Sequence, residues 1–281
     1  MPRVLITGTS SGFGLTTTVE LAKQGWEVVA TMRDLAKRAE LDKALAATGA
    51  SRSVTVSQLD VTDATSIDRA IAGLDLSNRP LDAVVQNAGV AAGGAFEDLP
   101  EAEIRRIMEV NYFGVLALTK KLLPAFRAQR HGRIVVISSE SAFAGQPANS
   151  PYCASKWAVE GWAESIAYEV EHFGIDIILI EPCPYRTNIW ENSPRVLPKE
   201  SVYFPLLRHL EVTVDALVAK TAGDPADVGR AVARALAARR PHFRYAVGAT
   251  AKFNHFARGK LPSTMVRKMI SHYLGLGRVR W

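Results

Sequence analysis

Short apolar runs that alternate with longer helical segments constrain the fold of this chain more than any other feature of its sequence. Most of the runs are apolar throughout, which is typical of strands that are covered on both faces of a sheet. Strand and helix repeated in this order predict an α/β fold, a doubly wound parallel sheet with helices on both faces and right-handed crossovers. The six predicted strands are Val4–Thr7, Trp26–Thr31, Ser53–Leu59, Leu81–Gln86, Arg133–Ser138 and Ile175–Ile180.

Length and composition predict one large domain. With 281 residues, of which 48% are hydrophobic, the chain can bury a substantial core. We expect a single domain over residues 1–281 that contains a substrate lid over residues 185–221 and a basic C-terminal extension over residues 249–281. Two cysteines are too few for a disulfide framework. With no apolar leader before the first strand and no run long enough to span a membrane, the sequence predicts a soluble protein of the reducing cytoplasm.

The net charge of +6 is placed unevenly along the chain. All of the excess lies after His255, where no acid occurs, so the rest of the chain is balanced and nucleic acid is not a predicted partner. An ordinary solvated face is the simpler interpretation of this tail, and weak contact with an anionic membrane surface is the alternative. The cations are Arg258, Lys260, Arg267, Lys268, Arg278 and Arg280.

A glycine-rich segment, TGTSSGFG, follows the first predicted strand. Its glycines allow a sharp turn and a close approach of the backbone to a pyrophosphate, and the following helix directs its free N–H groups at the anion. The segment predicts a dinucleotide site, and a tight turn without a ligand is the alternative. The predicted contacts are Gly8, Ser10, Ser11, Gly12, Phe13 and Gly14.

The same letters also satisfy the G-x-S-x-G pattern of serine hydrolases, with Ser10 as the nucleophile. That arrangement needs an earlier strand and loop to supply part of the oxyanion hole. Only a few residues precede this segment, so the hydrolase is a remote alternative.

The ends of the second and third strands indicate which nucleotide binds. Met32 stands where an acid would accept a hydrogen bond from the ribose of NAD, and Arg33 follows it. An arginine can pair with the 2′-phosphate of NADP, so the sequence favours NADP(H) over NAD(H). Asp60 and Val61, after the third strand, are predicted to meet the adenine, and an ordinary aspartate at a helix start is the alternative for Asp60.

Small residues at the end of the fourth strand and polar residues on two predicted helices mark the rest of the predicted site. Asn87, Ala88 and Gly89 end the fourth strand and would lie against the cofactor. Asn111 interrupts an apolar helical stripe, where it either ties the helix to a neighbouring strand or holds a water near the reacting centre. Tyr152 and Lys156, one helical turn apart, extend the buried stripe of another helix.

In order and spacing these motifs resemble the short-chain dehydrogenase/reductase family. The resemblance covers roughly residues 3 to 190 and rests on Thr7-Gly8-x-x-x-Gly12-x-Gly14, Asn87-Ala88-Gly89, Asn111, Ser139 and Tyr152-x-x-x-Lys156. It implies a Rossmann-type fold and hydride transfer between a nicotinamide and a carbonyl or secondary alcohol. It also implies a homodimer or homotetramer that pairs through helices near residues 100–128 and 150–172.

The resemblance implies a role for each of the four polar residues. Tyr152 would exchange a proton with the substrate oxygen, and Lys156 would lower the pKa of that phenol and hold the nicotinamide ribose. Ser139 would polarise the substrate carbonyl, and Asn111 would hold a water that links Lys156 to solvent. No metal is implied. A non-catalytic NADP-binding sensor on the same fold is the alternative from another functional class.

The sequence departs from the family pattern after the sixth strand. Cys183 replaces the usual glycine after Pro182, while Thr187, predicted with Pro182 to contact the nicotinamide, is kept. The lid that follows is rich in apolar side chains, which favours a hydrophobic substrate. Packing of the lid against the C-terminal segment would explain the same residues, which are Tyr185, Ile189, Trp190, Tyr203, Phe204, Leu206 and Leu207.

Overall fold

A computed structural model describes residues 1–185, 193–221, 223–257 and 260–279 of the chain. Within them, one parallel sheet of seven strands has the order β3-β2-β1-β4-β5-β6-β7. The strand order reverses between β1 and β4, which is the place where a doubly wound sheet binds its ligand. The strands are β1 Arg3–Thr7, β2 Glu27–Met32, β3 Val54–Gln58, β4 Ala83–Gln86, β5 Gly132–Ile137, β6 Ile175–Pro182 and β7 Arg244–Val247.

Helices cover both faces of this sheet. Helices α1, α2 and α8 pack on one face, and α3, α5 and α6 pack on the other, so that each face has its own apolar core. The described helices are α1 Gly12–Lys23, α2 Ala39–Thr48, α3 Ala64–Ala72, α4 Glu101–Met108, α5 Gly114–Gln129, α6 Ser150–Val170, α7 Phe204–Thr221, α8 Ala226–Ala237, α9 Ala249–Ala257 and α10 Ser263–Tyr273.

The predicted doubly wound parallel sheet is confirmed, together with all six predicted strands. The seventh strand, β7, was not predicted, because its four residues begin with Arg244 and Tyr245 and form no apolar run. It continues the sheet by pairing in parallel with the second half of β6. This additional strand brings the C-terminal part of the chain beside the end of β6.

The predicted lid region contains helix α7, which contacts the C-terminal extension. The ring Nε2 of His209 on α7 lies 2.8 Å from the carbonyl oxygen of Leu274, just after α10. Leu207 and Leu210 of α7 are buried. Packing against the C-terminal segment therefore accounts for part of the apolar character of the lid. None of the helices in the described ranges is long and apolar enough to cross a membrane.

Candidate active site

The carboxyl ends of the central strands surround a cavity of about 90 Å³. It lies where a parallel sheet with this strand order binds its ligands. Ser139, Tyr152 and Pro182, which the sequence predicted for the site, all line it. The cavity is lined by Phe13, Ala91, Ser138, Ser139, Glu140, Ser141, Gln146, Asn149, Tyr152, Pro182, Cys183, Pro184, Tyr185 and Ser193.

The glycine-rich segment connects β1 to α1 and has the backbone that its glycines allow. Gly8 and Gly12 have φ angles of +70° and +57°, a region that side chains rarely adopt. Gly14 serves packing, because a Cβ there would lie 2.2 Å from the Gly8 carbonyl oxygen and 2.5 Å from Asn87 Nδ2. Helix α1 can thus begin directly against the ends of β1 and β4.

The start of α1 fits an anionic ligand. Ser11 is the N-cap of α1, and its side chain makes no capping hydrogen bond, so the first N–H groups of the helix are not satisfied by a cap. Phe13, in the first turn, packs its ring edge against Tyr185 at 5.5 Å between centroids. Ser10 is half-buried in the loop, and within the described ranges no hydrogen bond joins it to a histidine.

Asn87 and Ala88 tie the end of β4 to the end of β1. The Asn87 side chain donates to the carbonyl oxygens of Thr7 and Gly8 at 2.9 and 3.0 Å. The backbone N–H groups of Asn87 and Ala88 donate to the Thr7 hydroxyl at 3.0 and 2.9 Å. The Asn87 side chain therefore fixes the shape of the loop, a structural use that the sequence prediction of a cofactor contact did not include.

The residues predicted to select the nucleotide lie at the ends of β2 and β3. Arg33 is exposed directly after β2 and forms no ion pair with any other described residue. Asp60 accepts hydrogen bonds from the Thr62 N–H and hydroxyl at 2.9 and 2.7 Å, so its carboxylate stabilises a turn. Val61 is buried against Gly114, where a Cβ would lie 2.8 Å from its side chain. The structure thus shows local structural roles for Asp60 and Val61. Their contact with the adenine stays a prediction.

Asn111 lies in a π-helical turn, Glu109–Phe113, between α4 and α5. Its buried amide accepts from the Val90 N–H at 2.8 Å and donates to the Val90 carbonyl at 2.9 Å and the Ser155 hydroxyl at 3.0 Å. Both amide protons are used by the protein. The structure therefore shows the first interpretation, a structural tie, for this side chain. The bound water stays a prediction, and that water would have to donate to the amide oxygen or to the main chain.

Ser139 and Tyr152 meet across the cavity. Ser139 follows β5, and its hydroxyl accepts from the Ser141 N–H at 3.1 Å. Burial raises the pKa of Tyr152 to about 12, and a hydrogen bond with Ser139 opposes that rise in part. The net shift is upward because the loss of hydration outweighs this hydrogen bond, and the expectation that Lys156 lowers the pKa of Tyr152 stays a prediction.

Lys156 is almost completely buried one helical turn after Tyr152. Its ammonium donates to the Ile137 carbonyl at 2.9 Å and lies 5.7 Å from the centre of the Tyr152 ring. Burial lowers the pKa of Lys156 to about 8, and the charge of Glu160 opposes this shift. Within the described ranges the ammonium makes one hydrogen bond, which leaves two N–H protons for the hydroxyls of a nicotinamide ribose. A methyl group at Gly89 would lie 3.9 Å from the ammonium nitrogen, so this glycine borders the same space.

A buried acidic network behind Lys156 was missed by the sequence analysis. Glu160, one turn further along α6, accepts from the Ser138 hydroxyl at 2.6 Å and pairs with Arg244 of β7. Arg244 also donates to Glu181 of β6 at 2.7 Å. The helical spacing of Tyr152, Lys156 and Glu160 was the signal that could have found Glu160. Nothing local in the sequence pointed to Arg244.

Cys183 occupies space that a glycine on the neighbouring strand leaves for it. A Cβ at Gly248 would lie 2.1 Å from the Cys183 sulfur, and Gly248 has a φ angle of +97°. The Cys183 N–H donates to the Val247 carbonyl at 2.9 Å, so β6 and β7 remain paired past this point. Thr187, Ile189 and Trp190 lie outside the described residues.

The burial of Lys156 predicts a gain in stability when its charge is removed. Below a pH of about 8 the lysine is charged in both the folded and the unfolded chain, so the folded protein bears the full cost of burial. Between about pH 8 and pH 10.5 only the unfolded chain keeps the proton, and stability rises with pH. We expect Lys156→Met to raise the free energy of unfolding by about 2 kcal/mol near neutral pH, with the gain fading as pH approaches 10.5.

Urea unfolding of the wild type and the variant over this pH range measures the effect. Lys120→Met, on the exposed face of α5, is the matched control and should change stability little at any pH. A Lys156→Met protein that is less stable than the wild type near neutral pH would contradict the assignment of a costly buried charge.

The comparisons with known proteins indicate the same family. Residues 2–196 match the family model described as short chain dehydrogenase. The chain is 35% identical over 254 residues to retinol dehydrogenase 8 from Bos taurus, which covers 86% of this chain and 80% of the relative. It is 34% identical over 269 residues to 3-ketodihydrosphingosine reductase from Bacteroides thetaiotaomicron, 94% of each chain.

The solved structures agree with the sequence relatives. A short-chain dehydrogenase from Streptomyces avermitilis shares the fold with a TM-score of 0.79 and 30% identity, over 99% of this chain and 98% of that chain. Several solved proteins of the same fold contain NAD, NADH or an NADP derivative. From its glycine-rich loop to its Tyr-x-x-x-Lys pair, this chain belongs to the short-chain dehydrogenase/reductase family of oxidoreductases.

Proposed function

We propose that the protein is an NADP(H)-dependent oxidoreductase that transfers hydride between the nicotinamide and a carbonyl or secondary alcohol of a hydrophobic substrate. The observation that carries the proposal is that Ser139 and Tyr152 line one cavity at the ends of the central strands, with the buried ammonium of Lys156 5.7 Å from the centre of the Tyr152 ring. The cofactor supplies the hydride donor or acceptor. The chain supplies orientation and proton transfer.

Tyr152 is the group that exchanges a proton with the substrate oxygen. Its raised pKa keeps it protonated near neutral pH, which suits a proton donor in carbonyl reduction. Ser139 donates a hydrogen bond to the same substrate oxygen and polarises the C=O bond. Lys156 holds the nicotinamide ribose with its remaining N–H protons, and its positive charge favours the phenolate that forms after proton transfer.

Removal of the Tyr152 hydroxyl should abolish turnover without preventing cofactor binding. We expect Tyr152→Phe to lower kcat by about 10³-fold, since general acid–base catalysis contributes on that order. NADPH oxidation over a panel of apolar and polar ketones and aldehydes, with NADPH affinity measured separately, tests this expectation. The matched control is Tyr168→Phe, which is 74% exposed on the same helix.

The outcomes separate the two functional classes. Turnover that is lost in Tyr152→Phe and kept in Tyr168→Phe supports the oxidoreductase. Tight NADPH binding without turnover of any panel member by the wild type would favour the sensor alternative.

The preference for NADP(H) rests on Arg33. This guanidinium follows β2, where a parallel sheet of this kind meets the adenosine ribose, and an arginine forms charge-assisted hydrogen bonds with a phosphate. Asp34, the next residue, has a local structural role, because its carboxylate accepts from the Ala36 N–H at 3.0 Å and caps a short helix.

Reversal of charge at Arg33 should reverse the cofactor preference. We expect Arg33→Asp to lower kcat/KM for NADPH relative to NADH by about 10- to 100-fold, which matches the loss of one or two hydrogen bonds to a charged group. Parallel assays with both nucleotides measure the ratio. Lys37→Asp, also exposed nearby, is the control for a general change in surface charge. An unchanged ratio in Arg33→Asp would remove Arg33 from the nucleotide site.

A lipophilic substrate is favoured by the lid and by the relatives. The cavity wall includes Phe13, Pro184 and Tyr185. The names of the two sequence relatives refer to retinol and to 3-ketodihydrosphingosine, both lipophilic alcohols or ketones. The compartment that we propose is the cytoplasm, since Cys153 and Cys183 are both unpaired.

Assembly and membrane contact are proposed for two different surfaces. A homodimer or homotetramer would cover Phe113, Trp157 and Tyr168, large side chains that are exposed on the π-helical turn and on α6. The basic extension presents another apolar set on α9 and α10 with no acid after residue 249, which suits an anionic lipid surface better than a second copy of itself. This set is Phe253, Phe256, Met265, Met269 and Tyr273.

One set of variants distinguishes these two surfaces. We expect the wild type to sediment with phosphatidylserine-containing vesicles and not with neutral ones. A triple variant with Phe256→Ser, Met265→Ser and Met269→Ser should lose that binding. Light scattering should give a mass above the 30.6 kDa of one chain for both proteins. Val202→Ser, 75% exposed elsewhere, is the control. A monomeric mass, or equal sedimentation of all variants, would refute the corresponding surface.

A further inference from the structure

Glu140 places a carboxyl group in the wall of the cavity, directly after Ser139. Ser139, Glu140 and Tyr152 line the same cavity, and the charge of Glu140 contributes to the raised pKa of Tyr152, so the carboxyl group lies close to the proposed reacting centre. The carboxyl is held from behind by helix α9, where the Asn254 side chain donates to it at 3.3 Å and Thr250 provides a second hydrogen bond. It is thus a positioned group of the cavity wall.

No described residue balances the charge of this carboxyl group. Within the ranges that the structure describes, neither Lys nor Arg nor His lies within ion-pair distance of Glu140, in contrast to Glu160 and Glu181, which share Arg244. Burial raises the pKa of Glu140. A buried carboxylate is unfavourable unless it is paired, so a cationic ligand group at this point would relieve the cost.

The neighbouring wall is polar as well. Ser141, Gln146 and Asn149 line the same cavity, and the Gln146 side-chain oxygen accepts from both of the others at 3.3 Å. These contacts leave the carboxyl group of Glu140 as the charged member of a hydrogen-bonded wall. A purely hydrocarbon ketone would offer the carboxyl group of Glu140 no charged partner.

We propose that Glu140 forms a subsite for a protonated amine on the carbon next to the reacting one, so that the substrates are amino ketones and amino alcohols with an apolar chain. This inference rests on the proposed function and specifies its substrate class. In oxidation, Tyr152 first releases its own proton to solvent, the substrate O–H proton then passes to the resulting phenolate, the substrate C–H bond gives its hydride to NADP⁺, and the C=O bond forms. The ammonium group is unchanged by the reaction and binds only to Glu140.

A comparison of matched alcohols tests the subsite. The substrates are a long-chain 2-amino-3-alkanol and the same 3-alkanol without the amine, both oxidised with NADP⁺. We expect the wild type to favour the amino alcohol by at least about 10-fold in kcat/KM, and Glu140→Gln to bring this ratio close to one, since hydrogen bonds to charged groups have this magnitude. Glu169→Gln, which removes the same charge from the exposed face of α6, should keep the wild-type ratio.

A binding measurement that needs no turnover accompanies the kinetics. A long-chain primary amine should raise the thermal stability of the wild type more than the alcohol of equal length, and Glu140→Gln should lose this difference. A ratio or a thermal shift that is the same in the wild type and in Glu140→Gln would overturn the subsite. Oxidation of both alcohols with the same kcat/KM would also overturn the subsite, and it would leave the proposed function intact. If neither alcohol and no ketone is turned over, the result counts against the proposed function itself.

Discussion

The attachment of helix α6 to the end of strand β5 is the constraint on which the rest of the site depends. Lys156 binds the carbonyl oxygen of Ile137, and Glu160, one turn later, binds the hydroxyl of Ser138. Because the two contacts join one helix face to the last residue of β5 and to the residue after it, the helix cannot slide or turn without losing both. Tyr152, one turn before Lys156, is therefore held at a fixed place relative to Ser139, and this is the positioning that the proposed proton transfer requires.

This attachment buries charges, and Arg244 makes their burial tolerable. Glu160 and Glu181 are both almost fully buried, and burial together with the neighbouring Glu160 raises the pKa of Glu181. Arg244 lies between them and donates to both carboxylates. Removal of the arginine would leave two buried acids in mutual repulsion, which is far more costly than the loss of one surface ion pair. The short strand β7 is thus the element that completes the electrostatics behind Lys156.

The sequence was sufficient where the signal is local. The six strands form apolar runs, and Tyr152 and Lys156 stand four residues apart on the helix face that also carries Val159, Ala163 and Ile166, so both the sheet and the central pair could be predicted. Arg244 could not, because it meets Glu160 from 84 positions away and lies in a strand without an apolar run. The net shift in the pKa of Tyr152 could not be predicted for a related reason: spacing shows that a cation is near, and only the packed structure shows how much water has been removed.

The contacts of helix α9 extend this argument from the reaction to its substrate. The family model ends at residue 196, and the groups proposed to transfer the proton all lie before that point. Helix α9 lies after it and contributes Asn254 to Glu140 and His255, whose ring nitrogen lies 3.3 Å from Glu181. One helix therefore contacts both the wall of the cavity and the buried acids behind it. Because these contacts do not involve Tyr152 or Lys156, changes in α9 can reshape the proposed substrate wall while the geometry of the proposed proton transfer stays fixed by α6 and β5.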